Sequence, residues 1–239
     1  MDETFGFRPL YRQVYDFMVK RITEGVWKPG ETLPSEQTLA TDLGVSQGTV
    51  RKALDVMAAE KLVERRQGKG TYVAEHTEES ALFRFFRMAR PDGERVLPEC
   101  VAEEVASGKA TAVESNKLKI EPGAAVVRIK RTRLVDQEPT VFETIVISAA
   151  MFPDIETYAP LPNALYGLYQ TAYGVNIVHT FEQLRADLAR KEDAKRLQVP
   201  LGTPLLHIDR VAIGLDGLSV EWRLSRCHTG KLVYAVTIS

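Results

Sequence analysis

The stretch LPSEQTLATDLGVSQGTVRKALDVMAAEKLVERRQGKGTYV, residues 33–73, decides how the chain is read. Ser35 precedes Glu36 at a helix start, as an N-cap with an acid near the positive end of the helix dipole. Leu39 and Leu43 face inward, and Gly44 supplies the left-handed stop. Ser46 is a second N-cap and predicts a helix running to about Glu60, with Val50, Ala53, Leu54 and Met57 as its buried stripe. Gln47, Gly48, Arg51, Lys52 and Asp55 take the opposite arc. Two short helices joined by Leu43-Gly44-Val45-Ser46 have the form of a helix-turn-helix. Leu62–Arg66 and Thr71–Ala74 then predict a strand pair, with Gln67-Gly68-Lys69-Gly70 as a flexible basic tip, the wing. Upstream, Leu10, Val14, Phe17, Met18 and Ile22 recur at helical spacing, Pro9 suits a first-turn position, and Trp27–Glu31 reads as a turn.

Beyond this segment the pattern changes. His76-Thr77-Glu78-Glu79-Ser80 is short, polar and charged, as a linker is, and the expected division is 1–75, a linker at 76–82, and a second domain at 83–239. Residues 96–106, 125–135, 139–149, 175–188, 203–215, 218–228 and 231–238 read as strands, with turns at Asp216-Gly217 and Thr229-Gly230. Helices are predicted near 111–119, 163–173 and 191–198. This is an α+β domain built on one antiparallel sheet.

Bulk composition fits a globular, non-membrane protein. The chain has 239 residues, 44% of them hydrophobic and 26% charged, and a net charge of −1. Two cysteines, Cys100 and Cys227, are too few for a disulfide framework, so a reducing cytoplasm and inert thiols are expected. The opening MDETFGFRPL is acidic and lacks an apolar core, so no signal peptide is expected, and no apolar run is long enough to span a membrane. Charge is unevenly spread. Between Gly44 and Val73 six basic residues stand against three acidic ones, a local surplus that suits a small footprint on phosphate.

Residues 33–73 resemble the GntR family of bacterial transcription regulators. The resemblance rests on Ser35-Glu36, Leu39-Ala40, Val45-Ser46, Thr49-Val50-Arg51, Ala53-Leu54, Leu62 and Gly68-x-Gly70-Thr71-Tyr72-Val73. The remainder resembles the UTRA effector-binding domain of the family's HutC branch, whose fold is like that of chorismate lyase. It is carried by Arg131-Thr132-Arg133-Leu134, Val141-Phe142-Glu143, Ala164-Leu165-Tyr166, Tyr173-Gly174 and Val220-Glu221-Trp222. The implied architecture is a winged helix-turn-helix followed by a chorismate-lyase-like domain with one antiparallel sheet and flanking helices.

The same resemblance implies a homodimer, joined mainly through the effector domains, on a two-fold symmetric operator in double-stranded DNA. The start of a recognition helix meets base edges in the major groove. That places Gln47, Thr49 and Arg51 there, and glutamine can pair with adenine and arginine with guanine. Gln47 departs from the arginine common in the family, which leaves the preferred base open. Ser35, Ser46, Thr71 and nearby amides suit phosphate contacts. Arg65, Arg66, Lys69 and Gly70 flank or form the wing.

For the second domain, strand parity puts Arg131 and Arg133 on one face, and Val141, Glu143 and Ile145 on one face of the next strand. Paired arginines with no acid in their own strand suggest an anion between them. By resemblance, Arg131, Arg133, Glu143, Tyr166 and Glu221 match ligand-binding positions of sugar-phosphate-sensing relatives. Ala164 replaces a phosphate-binding serine and Cys227 a tyrosine, which favours a carboxylate over a sugar phosphate. Arg84 and Arg87 open the domain and are expected to close over the ligand. The bland alternative is that Arg131 and Glu143 form an ordinary cross-strand pair on a wet face.

The expected function is therefore a ligand-responsive repressor released by a small anionic metabolite. Two rival readings are a chorismate-lyase-like enzyme of small acids and a DNA-binding protein with no ligand. Against the enzyme, there is no nucleophile motif, phosphate loop or paired metal ligands, and His76, His179, His207 and His228 are widely spaced. Neither cofactor nor metal is expected.

Overall fold

The computed structural model describes residues 8–75 and 85–237. The chain divides into two compact units, Met1–Glu75 and His76–Ser239. The expected linker at 76–82 and Arg84 lie outside the described residues.

In the first unit, α1 (Leu10–Thr23) buries Val14, Met18 and Ile22, four residues apart on one stripe. Pro9 is its N-cap, one position before the expected one, and Leu10 in the first turn is 46% exposed. α2 (Glu36–Leu43) starts at Ser35, whose Oγ accepts from the Thr38 amide at 3.1 Å, and stops at Gly44 with φ +63°. Only glycine holds that conformation without a Cβ penalty. α3 (Gln47–Ala59) starts at Ser46, whose Oγ accepts from the Thr49 amide at 3.2 Å. Val50, Ala53, Leu54 and Met57 are buried completely or nearly so. Burying Val50, Leu54 and Met57 stabilises the unit by roughly 1.5–3 kcal/mol each, and this fixes which face of α3 remains outside.

β1 (Val63–Arg66) and β2 (Gly70–Val73) pair antiparallel from Val63↔Val73 to Arg66↔Gly70. The chain entering α2 lies along the hairpin. The Leu33 amide donates to the Thr71 carbonyl at 2.8 Å, and the Val73 amide to that of Glu31 at 2.9 Å. The wing root is thereby tied to the helix-turn-helix rather than hanging from it.

The second unit is a six-stranded antiparallel sheet. Its strands are β4 (Glu99–Lys109), β5 (Ala125–Val135), β6 (Glu138–Ser148), β7 (Ile177–Leu188), β8 (Pro204–Gly214) and β9 (Ser219–Cys227), in spatial order β4-β5-β6-β9-β8-β7. On one face, α5 (Leu165–Tyr173) and residues 152–161 pack Phe152, Ile155, Leu165 and Tyr169 onto Ile129, Ile145, Ile147 and Ala212. On the other face lie α4 (Ala112–Leu118) and α6 (Lys191–Leu197). There Leu118 packs with Val126 and Val146, and Leu197 with Phe142 and Leu205.

The expected strand at 231–238 shrinks to β10 (Val233–Tyr234), which pairs with β3 (Met88–Ala89) outside the main sheet. Both edges of β9 are already taken by β6 and β8, so the returning chain cannot pair beside the strand it has just left. Cys100 on β4 and Cys227 on β9 are separated by two intervening strands. No helix among the described residues is long and apolar enough to cross a membrane.

Candidate nucleic-acid interface and ligand pocket

With its apolar stripe buried, α3 presents Gln47, Arg51, Lys52 and Asp55 to solvent. Thr49 is half-buried, and its hydroxyl sits 2.9 Å from that of Ser46. Ser35 and Ser46 are exposed and act as caps. At the wing, Lys69 sits exposed at the tip, Gly68 and Gly70 have φ +69° and +114°, and Thr71 is half-buried. The Arg66 guanidinium stacks over Tyr72 at 4.2 Å and pairs with Glu64. Arg65 does not extend with the hairpin. It folds back onto α3, 2.9 Å from Asp55, and donates to the Arg51 carbonyl at 3.3 Å. Glu36 lies under this group, bonded to Arg51 and facing Arg65 and Gln47.

In the second unit, strand register assembles a charged row that parity alone does not show. Arg131 stands opposite Glu143, Glu143 opposite Ser225, and Arg223 opposite Arg210. Glu143 is 3% exposed and accepts from Arg133 Nε at 2.8 Å and Arg223 Nη1 at 3.2 Å, with Arg131 at 3.6 Å. Arg223 also grips Glu221 with Nε and Nη2, at 2.8 and 2.9 Å. The Tyr166 and Tyr169 hydroxyls donate to the same Glu221 carboxylate at 3.1 and 2.9 Å. Arg210 pairs with Glu182 and donates to the Phe85 carbonyl.

A pocket opens on this row. Its wall includes Arg87, Arg133, Arg210 and Arg223, one carboxylate (Glu143), and the apolar side chains of Phe85, Ile208 and Cys227. Ala164 and Tyr166, at the start of α5, line it too, and Ala164 provides no side-chain cap there. Of the residues expected at a ligand, Arg133, Glu143, Tyr166 and Arg87 reach the wall.

Arg131 and Glu221 do not. Both are wholly buried behind it. Arg131 donates to the carbonyls of Pro162 and Asn163, at 3.0 and 3.3 Å, so it ties down the loop before α5. Arg131 and Arg133 both face Glu143, an anion within the protein, and the cluster is buried rather than an exposed cross-strand pair.

Burial alone would raise the Glu143 carboxyl, but Arg133, Arg223 and Arg131 hold it well below the usual carboxylate range. Burial lowers Arg133 to about 10 despite Glu143. Burial also pushes up the Tyr166 phenol and the Cys227 thiol, so both stay neutral.

Arg210, Arg223 and Asn163 belong to this cluster without being singled out by the sequence pattern alone. Arg223 is two residues from Glu221, so parity placed it on the same face. Arg210 needed the β8–β9 register. Asn163, which accepts from Arg133 at 2.6 Å and donates to the Pro98 carbonyl at 2.8 Å, left no sequence signal.

An exposed helix-turn-helix with a basic wing, on a chain whose other unit holds a pocket walled by arginines and apolar side chains, defines a DNA-binding transcription regulator. Residues 10–73 match the gntR family of bacterial regulatory proteins, and residues 98–232 match the UTRA domain. The chain belongs to the GntR family, among the members that carry a UTRA domain, and is a regulator rather than an enzyme.

It is 31% identical over 208 residues to the histidine utilization repressor of Pseudomonas aeruginosa, covering 84% of this chain and 80% of that one. It is 29% identical over 229 residues to the mannosyl-D-glycerate transport/metabolism system repressor MngR of Escherichia coli, covering 94% and 93%. Among solved structures, the ligand-binding domain of a GntR-family regulator from Bordetella bronchiseptica matches with TM-score 0.60 at 28% identity. That match covers 64% of this chain and 96% of the other.

Proposed function

We propose that this regulator is a cytoplasmic repressor whose grip on operator DNA is released by a small anionic metabolite held in the second unit. The observation that carries the proposal is the pocket wall, where four arginines face one carboxylate beside the start of α5. Desolvated guanidinium groups and a helix N-terminus both favour an anion. Ala164 and Cys227 offer neither a hydroxyl nor a charge, which favours a carboxylate over a phosphate. Relatives named for mannosyl-D-glycerate and for histidine utilization, both acids, are compatible with this class.

On the DNA side, Gln47, Thr49 and Arg51 read base edges. Ser35, Ser46, Gly70 and Thr71 meet phosphate, and Arg65, Arg66 and Lys69 flank the groove. The working species is a homodimer joined through the effector units. In support, the edge strand β7 leaves Phe181 (68%), Leu184 and Leu188 exposed, and an edge pairs antiparallel with its own copy about a two-fold axis.

The test is a thermal-shift screen of small carboxylic acids and sugar phosphates, followed by DNA binding with any hit at saturation. A ligand at about 100 times its Kd stabilises the folded state by about 2.7 kcal/mol, and it is expected to weaken operator affinity. An acid that stabilises the protein yet leaves operator affinity unchanged would contradict release, because coupling requires different affinities for the two states. One observation favours a ligand-free regulator instead. Arg133, Arg210 and Arg223 already have internal carboxylate partners. On that reading no acid in the screen raises the melting temperature.

A further inference from the structure

We infer that Glu36 is a positioning residue for base readout, holding Arg51 and Gln47 in the orientation in which they meet DNA. The inference rests on the recognition-helix reading above. Glu36 is the first residue of α2, and its side chain is only 20% exposed beneath the start of α3. Its Oε2 accepts from Arg51 Nε at 3.0 Å and lies 3.0 Å from Arg51 Nη2, with the Gln47 amide at 3.4 Å. Its Oε1 faces Arg65 at 3.5 Å. One carboxylate thus gathers two of the three α3 side chains assigned to base edges, Gln47 and Arg51, which stand one turn apart, and adds a strut to β1.

The geometry suits recognition. A guanidinium has five N–H donors in a flat fork. Glu36 takes the edge formed by Nε and Nη2. The outer edge, formed by Nη1 and the second hydrogen of Nη2, stays open, and a guanine offers N7 and O6 to such an edge. A long arginine fixed in this way loses less freedom on docking, so preorganisation favours the matched base. An unbraced arginine instead spreads its contacts over neighbouring phosphates and bases. The carboxylate also repels phosphate, so it raises discrimination while lowering affinity for DNA in general.

The alternative is that Glu36 merely complements the α2 dipole. Two variants separate these roles. Glu36→Gln keeps the shape and removes the charge, while Glu36→Asp keeps the charge at the helix start but is too short to clamp Arg51. Duplexes selected by the full-length wild-type protein from a random pool supply the specific probe, and a scrambled duplex supplies the reference. The expected result is a ~3- to 10-fold fall in the ratio of specific to scrambled affinity for both variants. Preference relaxes at the base pair that Arg51→Ala also relaxes, and Glu36→Gln binds scrambled DNA at least as tightly as wild type does.

If both variants keep the wild-type ratio while Arg51→Ala loses it, the inference is overturned. The same holds if the variants weaken both duplexes equally, which is the mark of a purely structural role. If Arg51→Ala itself leaves the ratio unchanged, the recognition-helix reading fails, and this inference with it.

Discussion

Replacing Glu143 by glutamine tests whether the charged row is a dry, coupled network. The substitution preserves volume and removes one negative charge from within 3.6 Å of three arginines. Losing one partner of a buried ion pair costs about 3–5 kcal/mol, because the remaining charge is left uncompensated. The lower end applies here. Arg223 retains both bonds to Glu221, Arg131 retains two carbonyls, and Arg133 retains the side chain and carbonyl of Asn163.

A loss of about 3 kcal/mol in a unit of this size lowers the melting temperature by roughly 6–12 °C, at about 2–4 °C per kcal/mol. Because the Glu143 pKa is depressed, its contribution is present above the unfolded carboxyl value and lost only in strong acid. The deficit should therefore be equal at pH 6 and pH 8. Adding Arg133→Met removes the stranded charge, and the double variant should be less destabilised than the two single losses summed. Urea unfolding and calorimetry of the three variants give the cycle. A Glu143→Gln protein within about 1 kcal/mol of wild type would refute the reasoning, since that is what a solvated surface pair contributes.

Four other outcomes follow from the geometry. Arg51→Ala should cut discrimination between the selected duplex and a single-base variant of it by about 1–3 kcal/mol, read by fluorescence anisotropy. Lys69→Ala, at the exposed wing tip, should weaken all duplexes alike and reduce the salt slope by about one, and a wild-type salt series with no slope at all would contradict phosphate contact. The Glu114 carboxyl is held at about 2 by the Arg128 guanidinium, against 4.5 when unpaired, so its stabilisation is full above that upper value and is lost as pH falls through the lower one. Glu114→Gln should therefore flatten the acid limb of the stability curve between these values, as followed by circular dichroism. Arg87→Met, in the half-buried part of the pocket wall, should reduce the thermal shift given by any acid that stabilises the wild type.

The helix-turn-helix was legible from the amino acids because its instructions are local. Ser35, Gly44 and Ser46 mark helix ends through bonds to residues three or four positions away, and the Val50, Ala53, Leu54 and Met57 stripe sets the outward face of α3 without reference to any distant strand. Parity along β5 and β6 likewise placed Arg131, Arg133 and Glu143 on one side. What the amino acids did not disclose depends on alignment between strands far apart in the chain. The β6–β9–β8 register brings Arg223 to Glu143 and sets Arg210 opposite Arg223, and the carbonyls of the loop before α5 bind Arg131. The short C-terminal strand has the same origin, in a ladder already filled on both edges of β9. A period of two tells which face a residue takes but not which neighbour it meets. That choice is made only when the sheet closes and water leaves the charges between its strands.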